Sequence, residues 1–245
     1  MNAPSPAIAV AATYPYGTLT ARLDAVVAEF PHAAFASSLG AEDMVVTDAI
    51  LSAGLPIAIF TLETGRLHRE TLELLERVRK HYGHEIEAFR PDPDAMARYV
   101  KAHGLNAFYE SVELRKGCCH IRKVEPLARA LHDRDAWITG LRRAQSAART
   151  ELPLREHDSV HGIPKFNPLA DWSEAEVWAC IKDRGVPYNA LHDRGYPSIG
   201  CEPCTRAIRP GEDIRAGRWW WESSNAKECG LHVSPLDKPS EGKTP

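Results

Sequence analysis

Ala33-Ala34-Phe35-Ala36-Ser37-Ser38-Leu39-Gly40-Ala41-Glu42-Asp43-Met44-Val45-Val46 is the stretch on which the fold turns. Its first four residues read as a short buried strand, residues 37–43 as a loop of small residues, and Met44-Val45-Val46 as the start of a helix. A loop of this kind can turn backbone N–H groups and a helix N-terminus toward a phosphate. The plainer reading is an ordinary strand-to-helix turn with serine caps.

Residues on either side extend the pattern. Leu19 to Phe30 has helical apolar spacing and stops at Pro31. Leu55 to Thr61 reads as a second buried strand ending in Glu63-Thr64-Gly65. In the next segment Leu72, Leu75, Val78 and Tyr82 repeat at helical spacing, Glu73–Arg77 and Glu76–Lys80 add i,i+4 pairs, and Gly83 supplies a stop. Ile86 to Phe89 gives a third strand, and Asp94 to His103 another helix. A helix is predicted to start at Cys118-Cys119 and run to Leu131, followed by a fourth strand over Trp137 to Leu141.

Strand alternating with helix predicts an α/β fold, a parallel sheet with helices on both faces. Ligands of such sheets bind outside the carboxyl ends of the strands, so loops 37–43, 61–66 and 140–149 are the candidate site. In the last of these, Arg142, Arg143 and Arg149 with Gln145-Ser146 suit an oxyanion, because arginine holds phosphate or sulfate bidentately. Farther on, Ser173-Glu174-Ala175-Glu176 is a capping box that opens a helix, and Cys180 shares the apolar face of Val177 and Ile181 as a structural thiol. The run Trp219-Trp220-Trp221 reads as packing.

The chain has 245 residues, 44% hydrophobic and 26% charged, which is ordinary for a globular protein. A formal net charge of −3 offers no general field for nucleic acid, so anion binding must come from local arginines. Residues 1–13 have no Lys or Arg ahead of their apolar stretch, and no apolar run approaches the roughly 18 residues of a membrane span. A cytoplasmic protein that binds neither nucleic acid nor membrane is expected. In that compartment paired cysteines more often hold metal or do chemistry than form disulfides.

Four of the six cysteines fall into two pairs, Cys118-Cys119 and Cys201-Glu202-Pro203-Cys204. The first pair lies among Arg115, Lys116, Arg122 and Lys123, cations that favour thiolate over thiol. A four-thiolate zinc site is the rival reading. Adjacency argues against it, because consecutive helical residues point about 100° apart. A cubane presents separate irons to separate thiolates, so a [4Fe–4S] cluster is favoured. The sixth cysteine, Cys229, lies near Lys227 and His232, and residues alone leave it either an accessible thiolate or an incidental surface thiol.

Taken jointly, Ser38-Leu39-Gly40-Ala41-Glu42-Asp43, Thr64-Gly65-Arg66, Lys116-Gly117-Cys118-Cys119, Gly140-Leu141-Arg142-Arg143-Ala144-Gln145-Ser146, Cys201-Glu202-Pro203-Cys204 and Glu228-Cys229-Gly230-Leu231-His232 resemble the iron–sulfur adenylyl-sulfate reductases, relatives of phosphoadenylyl-sulfate reductase. The matches span about residues 35–232. The resemblance implies an adenine-nucleotide α-hydrolase type of sheet, with an N-terminal extension over 1–18, a reductase domain over 19–221 and a C-terminal tail over 222–245.

It also implies thioredoxin-dependent reduction of adenosine 5′-phosphosulfate to sulfite and AMP, with a glutaredoxin-like dithiol donor as the other candidate reductant, by a homo-oligomer. Cys229 would be the nucleophile that becomes an S-sulfonate, and Cys118, Cys119, Cys201 and Cys204 the ligands of one [4Fe–4S] cluster per chain. Lys123 would bridge cluster and substrate, and His232, Arg149, Arg215 and Arg218 would hold the phosphosulfate. The nucleotide would lie against Ser37, Ser38, Gly40, Asp43, Thr61, Leu62, Gly65, Arg66 and Gly140, beside Arg142 and Arg143.

Leu39 stands where ATP-cleaving relatives carry a second glycine, which counts against ATP pyrophosphatase chemistry. A phosphoadenylyl-sulfate reductase, a sulfur-inserting tRNA enzyme of the same fold and a zinc-stapled interaction module are the alternatives.

Overall fold

The structure, a computed structural model, describes residues 14–145 and 151–222. Cys229, His232 and Arg149 therefore lie outside the described residues.

Its centre is a six-stranded sheet in the order β3-β2-β1-β4-β6-β5, made of β1 (Ala34–Ala36), β2 (Ala58–Leu62), β3 (Glu87–Phe89), β4 (Trp137–Ile138), β5 (Arg155–Asp158) and β6 (Ile163–Phe166). All neighbours pair parallel except β5 with β6, which is an antiparallel edge hairpin. The sequence pattern predicts only the first four strands. Strand residues alternate between faces, and the register keeps each face consistent. Phe35 sits opposite both Ile59 and Ile138, and all three enter one core, while Ala34, Phe60 and Trp137 enter the other.

The larger core is closed by α1 (Tyr16–Glu29), α2 (Ala41–Ser52), α3 (Arg69–Tyr82) and α7 (Glu174–Arg184). Leu19 and Leu23 of α1, Met44 and Val45 of α2 and Leu74 and Val78 of α3 are fully buried there. Cys180 of α7 is buried in the same core, as its apolar neighbours predict, and Ser173 and Glu176 form the capping box. On the opposite face α6 (Glu125–Leu131) covers Phe60 and Trp137 with Leu127, Ala130 and Leu131. Among the described residues no helix is long and apolar enough to cross a membrane.

A buried polar knot ties the helices together at Asp48 of α2. Its carboxylate accepts from the hydroxyls of Tyr16 and Tyr82, at 2.7 and 3.0 Å, and from Arg184 at 2.6 Å. Each phenol is thereby held far from ionisation, first by burial.

One predicted element is corrected. The paired cysteines do not open a helix. They close α5 (Val112–Cys119), which Ser111 caps by accepting from the Leu114 N–H, and a π-helical turn over His120–Val124 joins α5 to α6. Pro126 sits in the first turn of α6, where a missing N–H is tolerated.

β1 and β4 are adjacent, yet the chain leaves them toward opposite edges of the sheet. That reversal of winding is where a doubly wound sheet opens a crevice beyond the strand ends. The 37–40 loop after β1 and the 139–145 segment after β4 meet there.

Candidate functional site

A cavity of about 240 Å³ fills the crevice. Its walls include Ser37, Ser38, Gly40 and Asp43 from the first loop, Thr61 and Leu62 from the end of β2, and Gly140 and Gln145 beyond β4. Lys123, Arg215 and Arg218 supply its cations. These residues, scattered over more than half the chain, are brought together by the fold.

The first loop holds an unusual conformation. Leu39 has φ 62°, in the left-handed region that a glycine adopts freely, while its side chain is buried in the larger core. A non-glycine residue held there costs on the order of 1–3 kcal/mol, a strain typical of functional loops. The backbone thus keeps a glycine-like turn at the position where the sequence carries leucine.

The arginines of the 140–149 loop divide their duties. Arg142 is 1% exposed, and its guanidinium is bound by Glu42, with Nε at 2.9 Å and an Nη at 2.7 Å from the same carboxylate oxygen, while its other Nη donates to the Trp172 carbonyl. Arg143 donates to the Leu152 carbonyl at 2.7 Å. Neither side chain lines the cavity, whereas Arg215 and Arg218 do. The sequence alone does not reveal Glu42 as the partner that holds Arg142 away from the cavity wall. Because one partner of a buried ion pair is left uncompensated when the other is removed, Arg142→Ala is expected to lose about 3–5 kcal/mol of stability. Urea unfolding at neutral pH checks this, and a loss below about 1 kcal/mol would contradict it.

Arg218 is buried, lies over the Trp219 ring at 4.8 Å and donates to the Ile199 carbonyl at 3.1 Å. It also packs on Gly200, where an added Cβ would stand 2.3 Å from the guanidinium. Glycine at 200 is therefore a condition for this arginine to reach the cavity.

Beyond Lys123 lies a second, smaller pocket lined by Cys118, Cys119, Cys201 and Cys204 with Arg66, Arg115, Arg122 and Lys123. The helix supplies part of this arrangement by spacing. Cys118 and Arg122 are i,i+4 neighbours in hydrogen-bond contact, and so are Arg115 and Cys119. Thr64, at the end of the β2 loop, places its hydroxyl 3.3 Å from the Cys201 sulfur, and Arg122 donates to the Thr64 carbonyl. Arg115, fully buried, is clamped by both oxygens of Glu222 at 2.8 and 2.9 Å and lies over the Trp219 ring. Trp219 and Phe108 pack against the thiols, so part of the tryptophan run does serve as packing.

Burial outweighs the cations in setting the thiols. The Cys204 thiol is pushed up to about 12 by desolvation and by Cys201, with Lys123 and Arg218 pulling the other way. Cys118 is likewise raised by burial despite Arg122. The flanking cations thus act in the direction the sequence predicts, toward thiolate, but burial outweighs them at these two thiols. Among the described residues no three or more His, Cys, Asp or Glu side chains are placed so that they could hold a metal ion.

The comparisons with known proteins agree with this geometry. The phosphoadenosine phosphosulfate reductase domain matches residues 32–207. The chain belongs to that family. It is 63% identical to an adenosine 5′-phosphosulfate reductase of Burkholderia cepacia over 95% of this chain and 94% of that one. Identity to the protein of the same name from Allochromatium vinosum is 61%, over 86% and 82% of the two chains. Among solved structures, the phosphoadenylyl-sulfate reductase of Candida auris in its phosphate complex superposes with a TM-score of 0.66 at 29% identity, covering 78% of this chain and 90% of that one. The matched range 32–207 contains both cysteine pairs and the crevice residues named above except Arg215 and Arg218.

Proposed function

We propose that the protein reduces adenosine 5′-phosphosulfate to sulfite and AMP in cytoplasmic sulfate assimilation. The observation that carries this reading is the shared wall. Lys123 borders both the crevice at the switch point and the pocket lined by four thiols. The names of the relatives at 63% and 61% identity support the same substrate.

In this reading the adenosine lies against the loops after β1 and β2, and the phosphosulfate faces Lys123, Arg215 and Arg218. The Cys229 thiolate attacks the sulfate sulfur. A sulfur–sulfur bond forms as the sulfur–oxygen bond to phosphate breaks, and AMP leaves with the bonding pair. Fixed cations stabilise the charge that develops on that leaving phosphate. A thiolate of a dithiol donor of the thioredoxin class then attacks Cys229 Sγ, forming a mixed disulfide as the bond from Sγ to the sulfonate sulfur breaks. Sulfite leaves, and the second thiol of the donor closes its disulfide and returns Cys229 as a thiol. The two electrons gained by sulfur are those lost by the dithiol.

Cys118, Cys119, Cys201 and Cys204 would hold a [4Fe–4S] cluster. The donor set fits: thiols only, in a buried pocket ringed by three guanidiniums and an ammonium. Such a cluster would supply a fixed negative centre beside Lys123. What this chain's residues do there is orient Lys123 through the π-helical turn and exclude water with Phe108 and Trp219.

The test is a steady-state comparison of two nucleotides with thioredoxin as donor. Adenosine 5′-phosphosulfate should give sulfite and AMP in equal amounts, and its 3′-phosphorylated analogue should have a lower kcat/KM. Equal or greater kcat/KM for the 3′-phosphorylated nucleotide would transfer the assignment to phosphoadenylyl-sulfate reduction.

A further inference from the structure

The crevice contains an acid where an anion is expected to bind. Asp43, in the first turn of α2, is 8% exposed and lines the cavity. One carboxylate oxygen accepts from both the Ser38 backbone N–H and the Ser38 hydroxyl, each at 2.6 Å. The Gly140 N–H, at the end of β4, donates to the same carboxylate. The approach is so close that a Cβ at Gly140 would stand 2.1 Å from the other oxygen. A second N–H of the loop, that of Leu39, is engaged by the Ser37 hydroxyl oxygen at 3.3 Å. Two of the donors that a strand-to-helix loop can offer to a ligand phosphate, the Ser38 and Leu39 N–H groups, are therefore engaged within the protein.

We infer that Asp43 is the resident anion of this loop: its carboxylate fills the position of a ligand phosphate, so that the loop faces the uncharged part of an adenine nucleotide and the crevice selects against additional negative charge. The inference rests on the reading that the crevice takes an adenine nucleotide. Ligand anions are left to Lys123, Arg215 and Arg218, and a ligand with one charged arm is preferred over one with more.

The energetics agree with a functional rather than a structural acid. Burial, with Glu42 next in the chain adding to it, lifts the Asp43 carboxyl to about 6, and the donors that pull it back down are Ser38 and Gly140, none of them a cation. A raised carboxyl favours the fold at low pH, and that contribution is lost as pH rises through about 6. At neutral pH the ionised Asp43 thus weakens the fold relative to its protonated form.

The experiment measures binding of adenosine, AMP and ADP by calorimetry at pH 8 without magnesium, for the parent, Asp43→Asn and Asp43→Ser. Relative to adenosine, both variants should bind the other two ligands tighter than the parent does in order of ligand charge, ADP by roughly tenfold, as removal of a like charge predicts. Equal weakening of all three ligands, or no dependence on ligand charge, would overturn the inference. So would failure of both variants to fold, because the ionised carboxylate is argued to weaken the fold at that pH. Absence of AMP binding by the parent would instead remove the nucleotide reading of the crevice.

Discussion

Cys229→Ser is expected to bind nucleotide like the parent, keep the same iron content and form no sulfite. A serine hydroxyl is almost wholly protonated at neutral pH and is a weak nucleophile without an adjacent base, so the loss of kcat should be at least about a thousandfold. The four cysteines of the buried pocket are other residues, which is why metal content should not change. Cys180 cannot substitute. It is fully buried in the core, and burial with the nearby Asp48 carboxylate pushes its thiol up to about 12. Steady-state sulfite release with thioredoxin checks this expectation, and turnover by Cys229→Ser within tenfold of the parent would remove Cys229 from the chemistry.

The second large effect concerns the thiol pocket. Cys201 sits in both networks, packed with Cys204 against Trp219 and hydrogen-bonded to Thr64 of the β2 loop. Cys201→Ala is expected to abolish cluster binding, with iron and acid-labile sulfide falling from about four per chain to near zero. Activity should fall with them, because Lys123, Arg122 and Thr64 would lose the centre around which they are arranged. Anaerobic preparation followed by iron, sulfide and zinc analysis reads the result. Stoichiometric zinc without sulfide in the parent would replace the cluster with a four-thiolate zinc site, and full iron in Cys201→Ala would remove Cys201 from the ligand set.

What the sequence revealed follows from the range of each interaction. The first four strands were legible because Phe35, Ile59, Ile138 and their neighbours form short apolar runs bounded by turn residues, and α3 and α7 because spacing and capping are local signals. The β5–β6 hairpin was not, since Arg155-Glu156-His157-Asp158 is polar throughout and Ile163-Pro164-Lys165-Phe166 places a proline inside a strand. The boundary at Cys119 was misplaced because Gly117 and a change to π-helical geometry interrupt the pattern. Within the site, the two cysteine pairs and their flanking cations could be read at i,i+4 spacing. The pairing of Arg142 with Glu42 and the contact of Thr64 with Cys201 could not, because each joins residues that only the strand order brings together. Asp43 was legible as a site residue, but its orientation toward Ser38 and Gly140 was not.

The central claim is that sulfur is transferred to this chain before it is released. Parent protein mixed with adenosine 5′-phosphosulfate, with no dithiol present, should liberate one equivalent of AMP and gain one sulfonate on the peptide that contains Cys229, as read by mass spectrometry. Adding thioredoxin should remove the group as sulfite. AMP release with no adduct, or an adduct on any of the other five cysteines, would contradict the account.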